Sequence, residues 1–204
     1  GEEENSGMWA LGHLGIGSKL AAPFSRKLPL SAVLIGTLLP DLIDKPLYYL
    51  SAFATGRHGL DVGLISCTRT FGHTAIFLFS LATIALVRKS KLFAALTIGV
   101  ATHLVLDGFQ DYWLHHFLGE TGESSLRIAI LFPFRTAPPF LRASFADMPF
   151  KTLADHLRSG AAPFTIVSEG IGAAILGWDY WKKKWRFRQV LRIGLPWRRS
   201  RADR

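Results

Sequence analysis

Apolar residues in this chain are gathered into five runs that polar or basic stretches separate. The runs cover about residues 8–24, 29–50, 71–87, 92–118 and 163–181. Most approach the roughly 20 apolar residues that a helix needs to cross a bilayer. The first run is the weakest, because its glycines would let it span only as a tilted or closely packed helix. The pattern predicts an all-α, multi-pass transmembrane helical bundle with about five membrane segments.

The composition favours the same class of protein. Hydrophobic residues make up 49% of the 204 residues, charged residues 19%, and the mean hydropathy is +0.24. The formal charge is +9, but ten of the 24 lysines and arginines lie in 182–204. A basic segment after a hydrophobic helix marks the cytoplasmic side of a membrane protein more often than a DNA-binding arm. We therefore expect no nucleic-acid partner. A single cysteine, Cys67, excludes a disulfide framework and a thiolate metal cluster.

Basic residues in the connections predict the topology. They occur at 26–27, at 88–91 and in the tail 182–204. Five crossings would place all three on one face, which the positive-inside rule makes cytoplasmic. The loop 51–70 and the long loop 119–162 would then be extracytoplasmic, and the protein would lie in a bacterial or archaeal inner membrane.

Three parts follow from this division. Residues 1–7 are polar and unlike the rest, and we interpret them as the remnant of an added N-terminal tag. Residues 8–181 form the membrane-embedded domain, and residues 182–204 form a basic cytoplasmic tail.

Six acidic or imidazole side chains lie inside the apolar runs or at their ends: His13, Asp41, Asp44, His73, His103 and Asp107. Ionisable groups are costly in hydrocarbon, so this number of them indicates a function. Imidazole nitrogens and carboxylate oxygens are ligands of zinc and similar divalent ions. Two pairs, in HLVLD and LLPDLID, are spaced four and three residues apart, so each pair shares a helix face.

The six residues also share a depth. A rise of about 1.5 Å per residue puts all of them roughly 16–22 Å above the cytoplasmic ends of their segments. Pro40 should open its helix beside Asp41, where a polar cavity can use the freed backbone groups. We predict one divalent ion, or two about 3.5–4 Å apart. Zinc is the expected metal and manganese the alternative.

Other roles stay open for several of these residues. His13 could instead form a hydrogen bond between helices, and His73 could cap the helix that it begins. Glu169 fits a ligand, a general base or a surface acid. Arg69 suits a substrate phosphate through a bidentate contact, with Arg135 as a second such group.

Five motifs, taken in their order along the chain, resemble those of the LexA-regulated, membrane-bound metal-dependent hydrolase family. They are Gly12-His13, LLPDLID at 38–44, GHT at 72–74, HLVLD at 103–107 and LFPF at 131–134. Many members have HRGFTH where this chain has RTFGH, so Arg69 stands where they have a potential ligand. The aspartates of LLPDLID are three apart rather than the commoner two.

The family is distantly similar to zinc-dependent phospholipases C and single-strand nucleases. The resemblance and the residues together favour a hydrolase that cleaves a phosphoester of a lipid or lipid-linked substrate with metal-activated water. Arg69 and Glu169 are then the expected catalytic residues, and Arg69 and Arg135 the substrate-binding ones. A transporter or ion-conducting protein is the alternative. A haem protein with His13, His73 or His103 as axial ligands comes third.

Overall fold

The computed structural model describes residues 10–56, 69–118, 130–131 and 162–183, and these contain helices and turns but no strand. The helices are α1 (Ala10–Ser25), α2 (Leu30–Gly36), α3 (Leu39–Thr55), α4 (Ala75–Val87), α5 (Lys91–Leu118) and α6 (Ala162–Lys183). Each predicted run thus contains helix, and the all-α class is confirmed for this part of the chain. Residues 1–7, Arg135, most of LFPF and the tail after Lys183 lie outside the described residues.

The second apolar run forms two helices rather than one. α2 ends at Gly36, and α3 begins at Leu39 with Pro40 in its first turn. Proline has no backbone N–H, and its ring would clash with the carbonyl four residues earlier, which here belongs to Gly36. The prediction that Pro40 opens the helix is therefore confirmed.

α5 is the central helix, and α1, α2, α3 and α4 all contact it. α1 runs antiparallel to α5, since His13 lies beside Asp107 whereas Gly17 lies beside Thr102 and Leu106. α2 runs parallel to α5. Two apolar clusters hold these helices together: Ala21, Ala32, Val33 and Ala95, and Leu81, Val100 and Leu104.

The first of these clusters lies at one end of the bundle. It joins the end of α1, the beginning of α2 and the beginning of α5. The basic connections 26–27 and 88–91 adjoin this end. The predicted metal ligands lie farther along the helices from this end.

α6 lies parallel to α1 and very close to it. A methyl group on Gly15 would collide with the backbone of Gly172, and one on Gly172 with the backbone of Leu11. Only glycine allows two helices to approach so closely. Farther along, Lys19 Nζ and Asp179 Oδ2 form an ion pair of 2.6 Å.

Among the described residues, one helix is long and apolar enough to cross a membrane by length and composition: Lys91–Trp113 in α5, with mean hydropathy 1.7. α4 is apolar but has only 13 residues. The run at 29–50 is divided into helices of seven and 17 residues. The helices therefore do not establish the finer prediction of five membrane segments.

Candidate metal centre

The six residues predicted as ligands converge on one cluster between α1, α3, α5 and the turn before α4. Five of them are buried, with exposures of 2% or less: His13, Asp44, His73, His103 and Asp107. The side chain of Asp41 is 16% exposed. Their convergence follows from the helix directions, because residues from the beginnings of α1 and α3 meet the middle of α5.

His103 is oriented by the break between α2 and α3. Its Nδ1 lies 2.8 Å from the carbonyl oxygen of Thr37, the residue that follows α2. A carbonyl oxygen can only accept, so Nδ1 carries the hydrogen and donates it. In the neutral ring, Nε2 then presents its lone pair to the cluster.

His73 is oriented by a carboxylate. Its Nδ1 lies 2.7 Å from Asp44 Oδ2, and because a carboxylate only accepts, Nδ1 is again the donor. In the neutral ring, Nε2 of His73 therefore also faces the cluster with its lone pair. A carboxylate that holds the distal nitrogen of a histidine is the usual outer partner of a metal-bound imidazole.

Asp44 therefore has a different position from the one predicted for it. Besides His73 Nδ1, its oxygens accept from the backbone N–H groups of Thr70 and Gly72, both at 2.8 Å, and of His73 at 3.3 Å. With these donors on its oxygens, Asp44 orients His73 and is not placed as a ligand. Gly72 permits the contact, because a Cβ there would meet the backbone of Pro40.

His73 does not cap α4. Thr74 is the N-cap residue, and its Oγ1 accepts a hydrogen bond of 3.0 Å from Phe77 N–H. This leaves the His73 ring free of a capping role and directed at the cluster.

Four side chains supply a compact set of donor atoms. His73 Nε2 and His103 Nε2 lie 3.1 Å apart. Asp107 Oδ2 lies 3.4 Å from the first and 3.5 Å from the second. Asp41 Oδ1 lies 3.8 Å from His73 Nε2. Tetrahedral zinc with bonds of about 2.0–2.1 Å separates its ligand atoms by about 3.3 Å, and the distances among His73, His103 and Asp107 are close to this value. Asp41, His73 and His103 also form a group of donor atoms that could hold an ion.

Two further properties of the cluster fit a cation. The lone pairs of the two Nε2 atoms face each other, and this arrangement is repulsive unless a proton or a metal ion lies between them. The histidine nitrogens also lie beside buried carboxylates, since Asp107 Oδ2 lies 3.4 Å from His73 Nε2 and Asp44 Oδ2 lies 2.7 Å from His73 Nδ1. A bound cation would offset negative charge that burial makes costly.

His13 lies beside Oδ1, the second oxygen of the Asp107 carboxylate. Its Nε2 lies 3.4 Å from Asp107 Oδ1, and its ring stacks on that of His103 with centroids 4.0 Å apart. With His103 and Asp107 it forms a second group of donors that could hold an ion. Its Nδ1 is buried and makes no hydrogen bond within the described part of the chain.

Arg69 is directed at carboxylates. Its Nε lies 3.2 Å from Asp107 Oδ2, its Nη1 lies 2.8 Å from Asp111 Oδ1, and the side chain is 8% exposed. Burial alone would lower the pKa of Arg69, but Asp107 and Asp111 outweigh it and raise that pKa above its usual value. These contacts place Arg69 where it can position Asp107, and the contact with a substrate phosphate stays a prediction.

Glu169 contacts the backbone at the beginning of α1. Its Oε2 accepts from Leu11 N–H at 3.0 Å and its Oε1 from Gly12 N–H at 2.7 Å. The carboxylate thus satisfies two free amides in the first turn of α1, where the helix dipole also favours a negative charge. It therefore anchors the turn that carries His13, and the three roles left open for it stay predictions.

Sequence reasoning missed two residues of this site. Lys45 Nζ lies 2.6 Å from Asp41 Oδ2, and Asp111 holds Arg69. Both are four residues beyond a predicted ligand, so the helical repeat that paired His103 with Asp107 could have identified them.

The distance of 3.1 Å between the Nε2 atoms of His73 and His103 leaves no room for a haem between these two rings. This pair is therefore removed as axial ligands.

Comparisons of the chain with protein-family models, with curated proteins and with solved structures find no match. The function must therefore be argued from the site.

Proposed function

We propose that this protein is a membrane-bound, metal-dependent hydrolase that cleaves a phosphoester of a lipid or lipid-linked substrate. On this proposal the chain belongs with the hydrolase family that its motifs resemble. The observation that carries the proposal is the pair of Nε2 atoms of His73 and His103, which face each other at 3.1 Å with carboxylates on two sides. Such a donor set suits a divalent ion better than any neutral ligand.

On this proposal the side chains of the centre have different roles. His73, His103, Asp107 and Asp41 would hold one ion, which when bound would act as a Lewis acid on a phosphoryl oxygen and lower the pKa of a water molecule. Asp44 and the Thr37 carbonyl keep the two imidazoles in the ligating tautomer. Arg69 keeps Asp107 ionised and in place. His13 would bind the same carboxylate from the opposite side or hold a second ion.

Exposed apolar surface supports a membrane location. α4 has no charged residue from Ala75 to Val87, yet Phe79, Leu86 and Val87 are 66%, 77% and 75% exposed. A helix that is apolar on all sides and still exposed is expected to face lipid. The basic connections at one end of the bundle favour a cytoplasmic orientation for that end. The metal centre would then lie toward the extracytoplasmic half.

The surroundings of Asp41 support a lipid-linked substrate. On α3 this partly exposed residue lies next to Leu42 and about two and three turns before Tyr49 and Phe53. Leu42, Tyr49 and Phe53 are 57%, 37% and 89% exposed. A headgroup at the metal would leave its apolar portion against this side of α3. A soluble phosphoester would gain nothing from that surface.

Elemental analysis and turnover together test the proposal. The full chain, purified in detergent, is expected to contain about one equivalent of zinc or manganese and to release phosphate or alcohol from a lipid phosphoester. Dialysis against a chelator should abolish both, and added metal should restore both. A preparation that holds no metal after loading would refute the metal centre. Bound metal without turnover, but with metal flux in proteoliposomes, would favour the transporter instead.

A further inference from the structure

Lys45 contacts the cluster through Asp41 and lies where the site reaches the surface. The side chains of His73, His103 and Asp107 are 3% exposed or less, and that of Arg69 is 8% exposed. Asp41 and Lys45, by contrast, are 16% and 39% exposed, and Asp111, which contacts Arg69, is 12% exposed. Among the described residues of the cluster, Lys45 is therefore the most exposed, and the side that it shares with Asp41 is accessible. A molecule that reaches the ligand atoms from this side passes both of them.

The contacts of Lys45 leave it able to bind a further anion. Its Nζ lies 2.6 Å from Asp41 Oδ2, while Asp41 Oδ1 faces His73. An ammonium group has three hydrogens, and one of them is directed at this carboxylate. Arg69 is placed differently, because its Nε and Nη1 are already directed at Asp107 and Asp111 and its side chain is buried.

We propose that Lys45 is the cation that binds the substrate's phosphate group at the entrance of the metal centre. This inference rests on the proposed function, since it assumes that Asp41 helps to hold an ion. Lys45 would contact one phosphate oxygen while the ion takes another, so the two charges together select a phosphoester anion over a neutral ester. It is a substrate-binding residue rather than a ligand.

The alternative explanation is that Lys45 and Asp41 form an ordinary ion pair between residues four apart on a helix. Such exposed pairs contribute little to stability and nothing to binding. The chain offers a matched control in Lys19 and Asp179, whose ion pair is also 2.6 Å long with side-chain exposures of 47% and 19%. This pair joins α1 to α6 and contains none of the residues of the cluster.

The experiment measures phosphate binding by isothermal titration calorimetry on the zinc-loaded full chain in detergent. Wild type, Lys45→Gln, Lys45→Arg and Lys19→Gln are each titrated with inorganic phosphate and with phosphatidic acid in micelles of the same detergent. We expect Lys45→Gln to weaken binding by about tenfold or more, because a hydrogen bond to a charged group is lost. Lys45→Arg should restore most of the affinity, and Lys19→Gln should bind as wild type does.

Comparison of inorganic phosphate with phosphatidic acid distinguishes a free phosphate from a lipid headgroup as the bound species. Weaker binding of both supports a site for the phosphate group itself, and weaker binding of phosphatidic acid alone supports a lipid headgroup. Unchanged binding of both ligands by zinc-loaded Lys45→Gln would overturn the inference and leave the hydrolase proposal intact. Loss of zinc from Lys45→Gln would also overturn it, because Lys45 would then act only through Asp41. Failure of the wild type to bind zinc is the distinct result that removes the proposed function.

Discussion

His73 and His103 present their Nε2 atoms to each other at 3.1 Å, while each ring donates its Nδ1 hydrogen to an oxygen on the far side. The acceptors are of different kinds, the carboxylate of Asp44 and the carbonyl of Thr37. Both assign the same tautomer, and both leave a lone pair directed at the same point. This relationship supports the proposal of a cation at the centre of the cluster.

Conservative changes to the ligands should remove the metal without unfolding the protein. His103→Gln and Asp107→Asn keep similar volumes but lose a lone pair or a charge at the ion. We expect metal affinity to fall at least about 10–100-fold, measured by competition with a chromophoric chelator. Thr97→Ala on the same helix is the control, because its hydroxyl bonds only within α5, to Phe93 O. Full metal occupancy in both ligand variants would remove the assignment.

Asp44→Asn tests whether a residue predicted as a ligand acts through His73 instead. The amide cannot match a carboxylate that accepts from three backbone N–H groups and from His73 Nδ1. We expect about 10–100-fold weaker metal binding and a loss of about 1–3 kcal/mol in the free energy of unfolding. Denaturant titration of the metal-free protein measures the second effect.

The control for this change is Asp179→Asn, which removes an acid from an exposed ion pair with Lys19. It should cost at most about 1 kcal/mol and leave metal affinity unchanged. Equal effects of the two substitutions on metal affinity would show that Asp44 has no special connection with His73.

Gly172→Ala should disturb the site from a distance. The added methyl group meets the backbone of Leu11 and Gly12, so α1 must shift away from α6 and take His13 with it. We expect a loss of about 1–3 kcal/mol in stability, measured by thermal denaturation in detergent. Gly170→Ala and Gly177→Ala on the same helix meet nothing within 4 Å and should be stabilising by about 0.5–1 kcal/mol. A stable Gly172→Ala variant would mean that the two helices do not approach as described.

Arg69→Lys distinguishes a positioning residue from one that binds substrate. A single ammonium group cannot reproduce the fork that reaches Asp107 and Asp111 together. We expect the metal-free protein to lose about 1–3 kcal/mol in stability and the holoenzyme to lose kcat with little change in KM. A residue that only contacts substrate phosphate would give wild-type stability and a raised KM, and that result would restore the prediction from sequence.

Glu169→Gln tests the anchoring of α1. The neutral amide is a weaker partner for the two N–H groups and for the positive end of the helix. Stability should fall by about 1 kcal/mol, while turnover per bound metal stays near that of wild type. Complete loss of turnover in a variant of normal stability and metal content would instead make Glu169 a catalytic base.

The sequence by itself determined the helices and the set of polar residues among them. Apolar runs of helical length, a proline that interrupts one of them and acids or histidines three or four apart are local features, and local geometry translates them directly into helices with polar faces. The break at Pro40 followed from these features, and the common depth of His13, Asp41, His73, His103 and Asp107 followed from them together with the basic residues that set the direction of each segment.

Only the tertiary structure decided what each polar residue contacts. Asp41 and Asp44 share a helix face, yet Asp41 reaches the centre while Asp44 is taken up by the turn 70–73, because Gly72 lets that turn lie against Pro40. Arg69 and Glu169 were predicted to act on a substrate, but they meet Asp107, Asp111 and the first turn of α1. Such partners lie at least 26 residues away in sequence, and no local pattern encodes which of several equivalent charges will meet when the helices pack.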